Sequence, residues 1–300
     1  MEKINGGNIS YDCVIALGNF DGLHKAHMEI IKNAISYSKE NNIKSGALLF
    51  SNHTLGIING ETVERLTTEE EKLEILSHAG LDFAYILDFD EKIMHMSPEE
   101  FVTMLKKRLS ARAACVGYDY RFGFRAEGDV ELLKSLGKQY GIDVLVTDEL
   151  SVNGIAVKST YIRSLVKNGE PEKIREFLGR NYSVGGKIVS GLQNGRKIGF
   201  PTANIEYGKD IALPRTGVYM GYTTIGENRY KSVINVGNNP TFNAEKITIE
   251  SHILDFNEDV YGHFATVEFV RRLRGDKKFD SLDALKAQIE KDVEAVRKCI

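Results

Sequence analysis

The spacing of apolar residues follows one rule in the first part of the chain and another in the second. In the first part, continuous apolar runs alternate with segments of helical spacing, and the runs occupy 13–18, 46–51, 82–89, 113–119 and 143–150. Continuous apolar runs of this length are typical of strands that are buried on both faces. Five such strands separated by helices predict a parallel, doubly wound α/β sheet of the Rossmann-like type, with a ligand crevice at the carboxyl ends of the strands.

Two of the helices between these runs have recognisable start signals. Thr67 precedes Glu70 by three residues, and Ser97 is followed by Pro98 and Glu100. A hydroxyl residue three positions before Glu indicates a capping box, and Pro is favoured in the first helical turn. These signals predict helix starts at both places.

The pattern changes after Gly179. Strand-like segments at 185–191, 218–226, 229–237, 247–256 and 265–273 are separated by Gly, Pro and Asn. This pattern is typical of antiparallel strands and predicts a small closed β-barrel, followed by a terminal amphipathic helix over 281–298. We therefore expect two domains, 1–182 and 183–300, which fits a length of 300 residues.

Composition excludes several classes of protein. The net charge is −3 with no run of Lys and Arg, so nothing predicts nucleic-acid binding. No apolar stretch is long enough for a signal peptide or a membrane span. The cysteines Cys13, Cys115 and Cys299 form no metal-binding or disulfide pattern, which predicts free thiols in a reducing, cytoplasmic setting. We expect a monomer or a weak homo-oligomer.

The first predicted strand runs directly into the segment 18–27, GNFDGLHKAH. Gly18 and Gly22 bracket a tight turn, and His24 and His27 then share one face of the first helical turn. A helix N-terminus favours phosphate, and imidazoles there can donate to phosphate oxygens. The spacing fits equally a plain strand-to-helix turn with two surface histidines.

Segment 18–27 resembles the HxGH signature of nucleotidyltransferases, in the GxFDGxHxGH form found in FAD synthetases. Segments 116–129 and 158–170 resemble that family's VGxDFRFG and SSTxIRxxLxxG motifs. The resemblance implies catalytic roles for His24, His27 and Arg163. It implies ATP-binding and flavin-binding roles for two further sets, which are Gly18, Asn19, Phe20, Gly22, Ser159 and Thr160 for ATP and Asp119 and Phe122 for flavin.

This chain departs from the family pattern at three places. Ala26 stands where the family has Gly, Lys158 replaces Ser, and the segment 50–56 keeps His53 but lacks two prolines. A weakened adenylyltransferase therefore stays open as an alternative.

Segment 186–205 resembles the GxVxxG…GRxxGFPTAN motif of riboflavin kinases, and later segments at 217–222, 235–242, 247–262 and 271–289 match further motifs of that family. The resemblance implies ATP binding by Gly191, Gly199 and Asn204, and Mg²⁺ binding by Thr202 and Asn204, whose oxygen atoms suit a hard cation.

The same resemblance makes Glu250 the general base and Arg274 a contact to flavin. Alternation along the strand 247–256 places Glu250 off the mostly apolar face. A surface glutamate paired with a cross-strand Lys or Arg is the alternative for Glu250, and a solvated loop arginine is the alternative for Arg274.

Together the resemblances imply a bifunctional riboflavin kinase/FMN adenylyltransferase that acts on riboflavin, FMN and ATP. Two alternatives remain open from the sequence. One is a monofunctional riboflavin kinase, and the other is a non-catalytic flavin- or nucleotide-binding regulator.

Overall fold

The computed structural model describes residues 1–51, 63–191, 195, 198–241 and 244–299, with backbone alone at 239–241 and 244–246. Its packing separates two compact units, residues 1–159 and 160–300. The division falls at the start of a helix and lies before the boundary at 182 and 183 that the change of pattern predicts.

Unit 1 is built on a six-stranded parallel sheet in the order β1-β4-β3-β2-β5-β6. Its strands are β1 Glu2–Asn5, β2 Cys13–Leu17, β3 Lys44–Phe50, β4 Phe83–Leu87, β5 Ala111–Gly117 and β6 Asp143–Thr147. The predicted doubly wound α/β fold is confirmed. The sequence pattern missed β1, because this edge strand is short and almost entirely exposed.

Helices cover both faces of the sheet, so both faces are buried. They are α1 Lys25–Asn41, α2 Glu69–Ala79, α3 Glu91–Met94, α4 Pro98–Lys107 and α5 Val130–Tyr140. Residues alternate along β2: Ile15 and Leu17 join one core, whereas Val14 and Ala16 join the other. A short hairpin, β7 Ser151–Val152 and β8 Ile155–Ala156, follows the sheet.

One predicted helix start was off by one residue. The cap of α2 is Thr68, whose hydroxyl accepts from the Glu71 N–H, and Glu71 completes the capping box. Thr67 instead accepts a hydrogen bond from the Gly22 N–H, 3.0 Å away. The capping box of α4 uses Ser97 and Glu100 as predicted.

Unit 2 is a closed antiparallel barrel in the order β10-β13-β12-β11-β14-β9. Its strands are β9 Tyr182–Val189, β10 Ala203–Glu206, β11 Gly217–Ile225, β12 Asn228–Thr241, β13 Ala244–Ile253 and β14 Phe264–Arg274, and its helices are α6 Ser159–Asn168, α7 Pro171–Leu178 and α8 Leu282–Cys299. The predicted barrel and terminal helix are confirmed, and β10 is an added strand.

The barrel interior is mainly apolar but contains a chain of three fully buried hydroxyls. The Ser232 hydroxyl donates to Thr223 Oγ1 at 2.9 Å, and Thr223 Oγ1 lies 2.7 Å from Ser251 Oγ. Each buried hydroxyl therefore has a hydrogen-bond partner, which removes most of the cost of burying it.

Helix α8 packs on the outside of the barrel through Val293 and Val296, against Val218, Met220 and Val233. None of the helices in the described residues is both long and apolar enough to cross a membrane.

Candidate active sites

The strand order of unit 1 identifies where a ligand crevice forms. Strands β3 and β4 lie on one side of β2, whereas β5 and β6 lie on the other. In open parallel sheets, ligands bind at the carboxyl ends of the strands where the order reverses. That point lies between β2 and β5. The loops that follow these two strands, 18–24 and 118–129, belong to the motif segments 18–27 and 116–129.

The loop after β2 has an unusual backbone. Phe20, Gly22 and Leu23 all have positive φ angles, of 47°, 81° and 40°. Phe20 and Leu23 are fully buried, so the strained backbone is held in place by the core beneath it. Phe20, predicted as an ATP contact, therefore has a supporting role through its side chain.

Asp21 connects this loop to two other segments of the chain through hydrogen bonds. Its carboxylate accepts a hydrogen bond from the Leu66 N–H at 2.8 Å, and its backbone carbonyl accepts one from the Ser159 hydroxyl at 2.9 Å. Asp21 is 3% exposed. Sequence reasoning did not assign a role to Asp21, and we expect it to fix the loop rather than to contact a substrate.

The two histidines lie together at the start of α1. His24 is the N-cap residue, and its Nδ1 accepts from the His27 N–H at 3.3 Å. The two imidazole rings are stacked, with centroids 3.6 Å apart. Burial, followed by nearby His24 and Lys72, holds the pKa of His27 well below 6.5. His27 is thus neutral at neutral pH and keeps one ring N–H to donate.

A lysine that the motifs did not single out also lies at this loop. Lys72 on α2 donates to the backbone carbonyl of Asn19 at 3.0 Å, and burial lowers its pKa. In the sequence, Lys72 belongs to the charged segment EEEK, which is typical of a solvated helix face. Its position adds a cationic group to the histidine pair.

The loop after β5 carries the two residues predicted to contact flavin. Asp119 lies 3.7 Å from Lys158 in an exposed ion pair. The Phe122 ring is 5% exposed and packs with Phe101 and Tyr120 in the core. These contacts favour a supporting role for Phe122 in the loop, and its contact with flavin stays a prediction.

Helix α6 carries Ser159, Thr160 and Arg163, which belong to the motif segment 158–170. Ser159 is the first residue of the helix rather than the cap before it, and its hydroxyl bonds Asp21. Thr160 and Arg163 lie on the first two turns and belong to unit 2. His53 of the segment 50–56 lies outside the described residues.

In unit 2, three polar residues lie side by side across adjacent strands. Glu250 on β13 is directly opposite Asn204 on β10 and opposite Asn235 on β12. Their neighbours Ile249 and Ile234 are fully buried in the interior, so the three half-buried polar residues share the outer face. The prediction that Glu250 lies off the apolar face is confirmed.

One of the two glycines predicted to bind ATP lies against this row. Gly191 packs against Asn204: a Cβ at position 191 would lie 2.4 Å from Asn204 Nδ2. Gly199 has a φ of 91°, a conformation that favours glycine. Thr202 is half-buried and precedes Asn204 by two residues, at the entry to β10.

Loop and barrel are also joined at His252. The Phe200 ring lies edge-on to the His252 imidazole, with centroids 5.4 Å apart. His252 Nδ1 lies 2.8 Å from the Pro201 carbonyl oxygen. Because a carbonyl only accepts, Nδ1 carries the proton. This contact fixes the segment that enters β10.

The Glu250 carboxyl lies in surroundings that disfavour its charged form. Burial raises the pKa of its carboxyl above the ordinary 4.5. A general base works best when its pKa approaches the working pH. No cross-strand Lys or Arg pairs with Glu250 among the described residues, so the alternative of a surface ion pair is not supported there.

Arg274, a predicted flavin contact, is engaged within the protein. Its Nε and Nη2 donate to the nearly buried Asp292 carboxylate at 3.0 and 2.9 Å. The pair attaches α8 to the end of β14. The flavin contact of Arg274 stays a prediction, and the ion pair is its structural role.

Two family models match the chain. The model of FAD synthetase matches residues 7–161, and the model of riboflavin kinase matches residues 178–300. The bifunctional riboflavin kinase/FMN adenylyltransferase of Escherichia coli is 32% identical over 283 residues, which cover 93% of this chain and 90% of that protein. The chain belongs to this bifunctional family.

Other relatives agree over the full length. The bifunctional riboflavin kinase/FMN adenylyltransferase of Bacillus subtilis is 31% identical, covering 95% of this chain and 92% of that protein. A crystal structure from Streptococcus pneumoniae, described as a macrolide-efflux protein, is 28% identical with a TM-score of 0.91 and covers all of both chains. That description differs from the names of the sequence relatives and is said of that protein alone.

The family match assigns an enzyme domain to each site. The histidine pair lies within the FAD synthetase domain, and Glu250 lies within the riboflavin kinase domain. Residues 162–177, in helices α6 and α7, lie between the two matched segments.

Proposed function

We propose that this chain makes both flavin cofactors. Unit 2 transfers the γ-phosphate of ATP to riboflavin, giving FMN and ADP, and unit 1 then transfers AMP from a second ATP to FMN, giving FAD and pyrophosphate. The observation that carries the proposal is the match of two different enzyme models to separate segments, each of which contains one polar site.

We assign the role of general base in the kinase step to Glu250. Its carboxylate takes the proton of the riboflavin 5′-hydroxyl, the hydroxyl oxygen bonds the γ-phosphorus, and the bond to the leaving ADP oxygen breaks. The raised pKa of Glu250 supports this role, since the group is a stronger base than an exposed glutamate.

The residues of unit 2 also fit Mg²⁺. Thr202 and Asn204 offer hydroxyl and amide oxygens, and the absence of a side chain at Gly191 leaves a cradle against the Asn204 amide. The cation would neutralise charge on the ATP phosphates. Described residues contain no cluster of three His, Cys, Asp or Glu for a metal, so the phosphates would complete its shell.

The adenylyl transfer needs no base, because the FMN phosphate is already a nucleophile. One of its oxygens bonds the α-phosphorus of ATP, and pyrophosphate leaves. We assign His24 and His27 to stabilising the charge that develops there, with Lys72 as a further cation. For Arg163, which belongs to unit 2, the same role rests on the motif resemblance alone. The neutral state of His27 supports a role as hydrogen-bond donor rather than as acid.

Two finer features belong to the same proposal. We place the domain boundary between 182 and 183, and we place the protein in the cytoplasm. Its three cysteines are free thiols, which fits a reducing compartment.

Chromatography of flavins after incubation with riboflavin, ATP and Mg²⁺ tests the proposal. We expect FMN first and FAD later. FMN alone, with added FMN left unconverted, would mean that Ala26, Lys158 and the segment 50–56 have silenced unit 1. Absence of both products would overturn the proposal.

A further inference from the structure

Glu250 has an amide neighbour on each side, and only one of them belongs to a predicted site. Asn204 was predicted to bind ATP and Mg²⁺, whereas Asn235 received no role. The register pairs Asn235 with Glu250 directly. Directly opposite residues of an antiparallel pair have their Cβ atoms about 4.5–5.5 Å apart, within reach of a hydrogen bond between longer side chains.

The surroundings of Asn235 leave room for its amide. Gly237, two residues further along the same face of β12, has no side chain, and a Cβ there would lie only 3.1 Å from Asn235 Nδ2. Gly191 accommodates the amide of Asn204 in the same way. Each amide beside Glu250 is thus accommodated by a glycine.

Among the described residues, neither amide has a competing partner. No hydrogen bond joins the side chains of Asn204, Asn235 or Glu250 to another group in the described part of the chain. The amide and carboxylate groups of this row can therefore pair with one another or with a bound molecule.

We propose that Asn235 is a positioning residue of the kinase reaction, whose side-chain amide donates a hydrogen bond to the Glu250 carboxylate when riboflavin is bound. The proposal rests on the kinase activity proposed above. Hydrogen bonds of catalytic groups often form only in the substrate complex.

An amide suits this task better than a cation. A Lys or Arg beside Glu250 would strongly favour the charged carboxylate, which weakens it as a base. A neutral donor orients the carboxylate and favours its charged form only modestly.

Few titratable groups face Glu250 from the described elements. His252 lies two residues along the same face of β13, and Glu206 lies two residues beyond Asn204 on β10. Burial lowers the pKa of His252, and Arg297 on α8 acts in the same direction. Beside Asn235 on β12, Val233 and Gly237 are uncharged.

The test measures kcat/KM for riboflavin against pH in the full chain for the wild type, Asn235→Ala, Asn235→Ser and Asn235→Asp. The alanine variant loses a donor to the charged carboxylate, so the acid limb moves to higher pH. We expect about a tenfold loss on that limb and a smaller loss at high pH. Serine retains a donor and should recover part of the rate, whereas aspartate should move the limb further.

Asn228→Ala is the matched control, since Asn228 is an exposed asparagine at the other end of β12. Conversion of FMN to FAD by the same preparations, the activity proposed for unit 1, should stay within about twofold, and urea unfolding checks that the barrel is folded. A loss in Asn235→Ala that is equal at every pH, or no loss at all, would overturn the proposal. Glu250→Gln distinguishes the proposal for Asn235 from the proposal that Glu250 is the general base. If this variant retained the wild-type kinase rate, the proposed role of Glu250 as the base would be wrong.

Discussion

The histidine pair of unit 1 lies beyond the end of a strand, whereas Glu250 and its two asparagine neighbours in unit 2 lie on the strands themselves. In unit 1 the histidine pair depends on a loop whose backbone occupies the left-handed region at Phe20, Gly22 and Leu23. In unit 2 the row of Asn204, Glu250 and Asn235 depends on strand register alone. One site therefore relies on special backbone angles, and the other on alternation and pairing.

This difference predicts how each site tolerates change. A loop site can be lost through the buried residues that support it, such as Phe20 and Asp21, even when the histidines remain. A strand site is lost chiefly through the row itself, because neighbouring residues on the strand point into the barrel.

The largest expected effect is on the riboflavin kinase rate when Glu250 is replaced, and it distinguishes the kinase site from the adenylyltransferase site. Glu250→Gln removes the base but keeps the size of the side chain, so FMN formation should fall about a thousandfold. Conversion of FMN to FAD should be unchanged. Chromatography of the two products in one preparation checks this, and loss of both activities in a folded variant would contradict the assignment of two sites.

A stability comparison comes next, within unit 2. Arg274→Ala leaves Asp292 buried without its cation and should lower the free energy of unfolding by about 3 kcal/mol. Arg297→Ala removes an arginine whose pair with Asp255 is exposed, and it should have little effect. Urea unfolding measures both. Equal effects would show that burial does not decide the role of Arg274.

At the histidine pair we expect the opposite result, with FAD formation lost and riboflavin phosphorylation retained. His27→Ala removes a ring donor at the start of α1 and should lower FAD formation from FMN about a hundredfold. Riboflavin phosphorylation should be retained. The rates of both steps, measured with saturating ATP, check this, and a normal FAD rate would exclude His27 from the transfer.

The smallest expected effect tests whether Gly191, which is predicted to bind ATP, contributes to ATP affinity. Gly191→Ala places a methyl group against the Asn204 amide, so the amide must shift. We expect KM for ATP in the kinase reaction to rise about tenfold, an effect of about 1.4 kcal/mol. Steady-state kinetics measure it, and the adenylyltransferase reaction of the same variant is the control.

The sequence predicted features that depend on local pattern. The strand at 13–18, the terminal helix at 281–298 and the position of Glu250 off the mostly apolar face of its strand follow from spacing alone, and all three are confirmed. The roles of His24 and Glu250 came from resemblance to a family, since their spacing also fitted ordinary surface residues.

Features that depend on which segments meet were missed. Asn235 became a candidate only through the pairing of β12 with β13, which alternation along one strand does not specify. Lys72 belongs to a charged helical segment and gains its role from contact with Asn19. Strand β1 is exposed and polar, so it has no hydrophobic signal to detect.

The buried hydroxyl chain of Thr223, Ser232 and Ser251 has a consequence for accuracy in folding. If β13 slipped by two residues, its apolar residues would still face inward, and hydrophobicity alone would hardly penalise the error. The slip would, however, replace Ser251 by an isoleucine and leave buried hydroxyls unpaired, at about 1–3 kcal/mol each. The hydroxyl chain thus favours the native register of β13 over a register shifted by two residues. The native register is also the one that places Glu250 between Asn204 and Asn235.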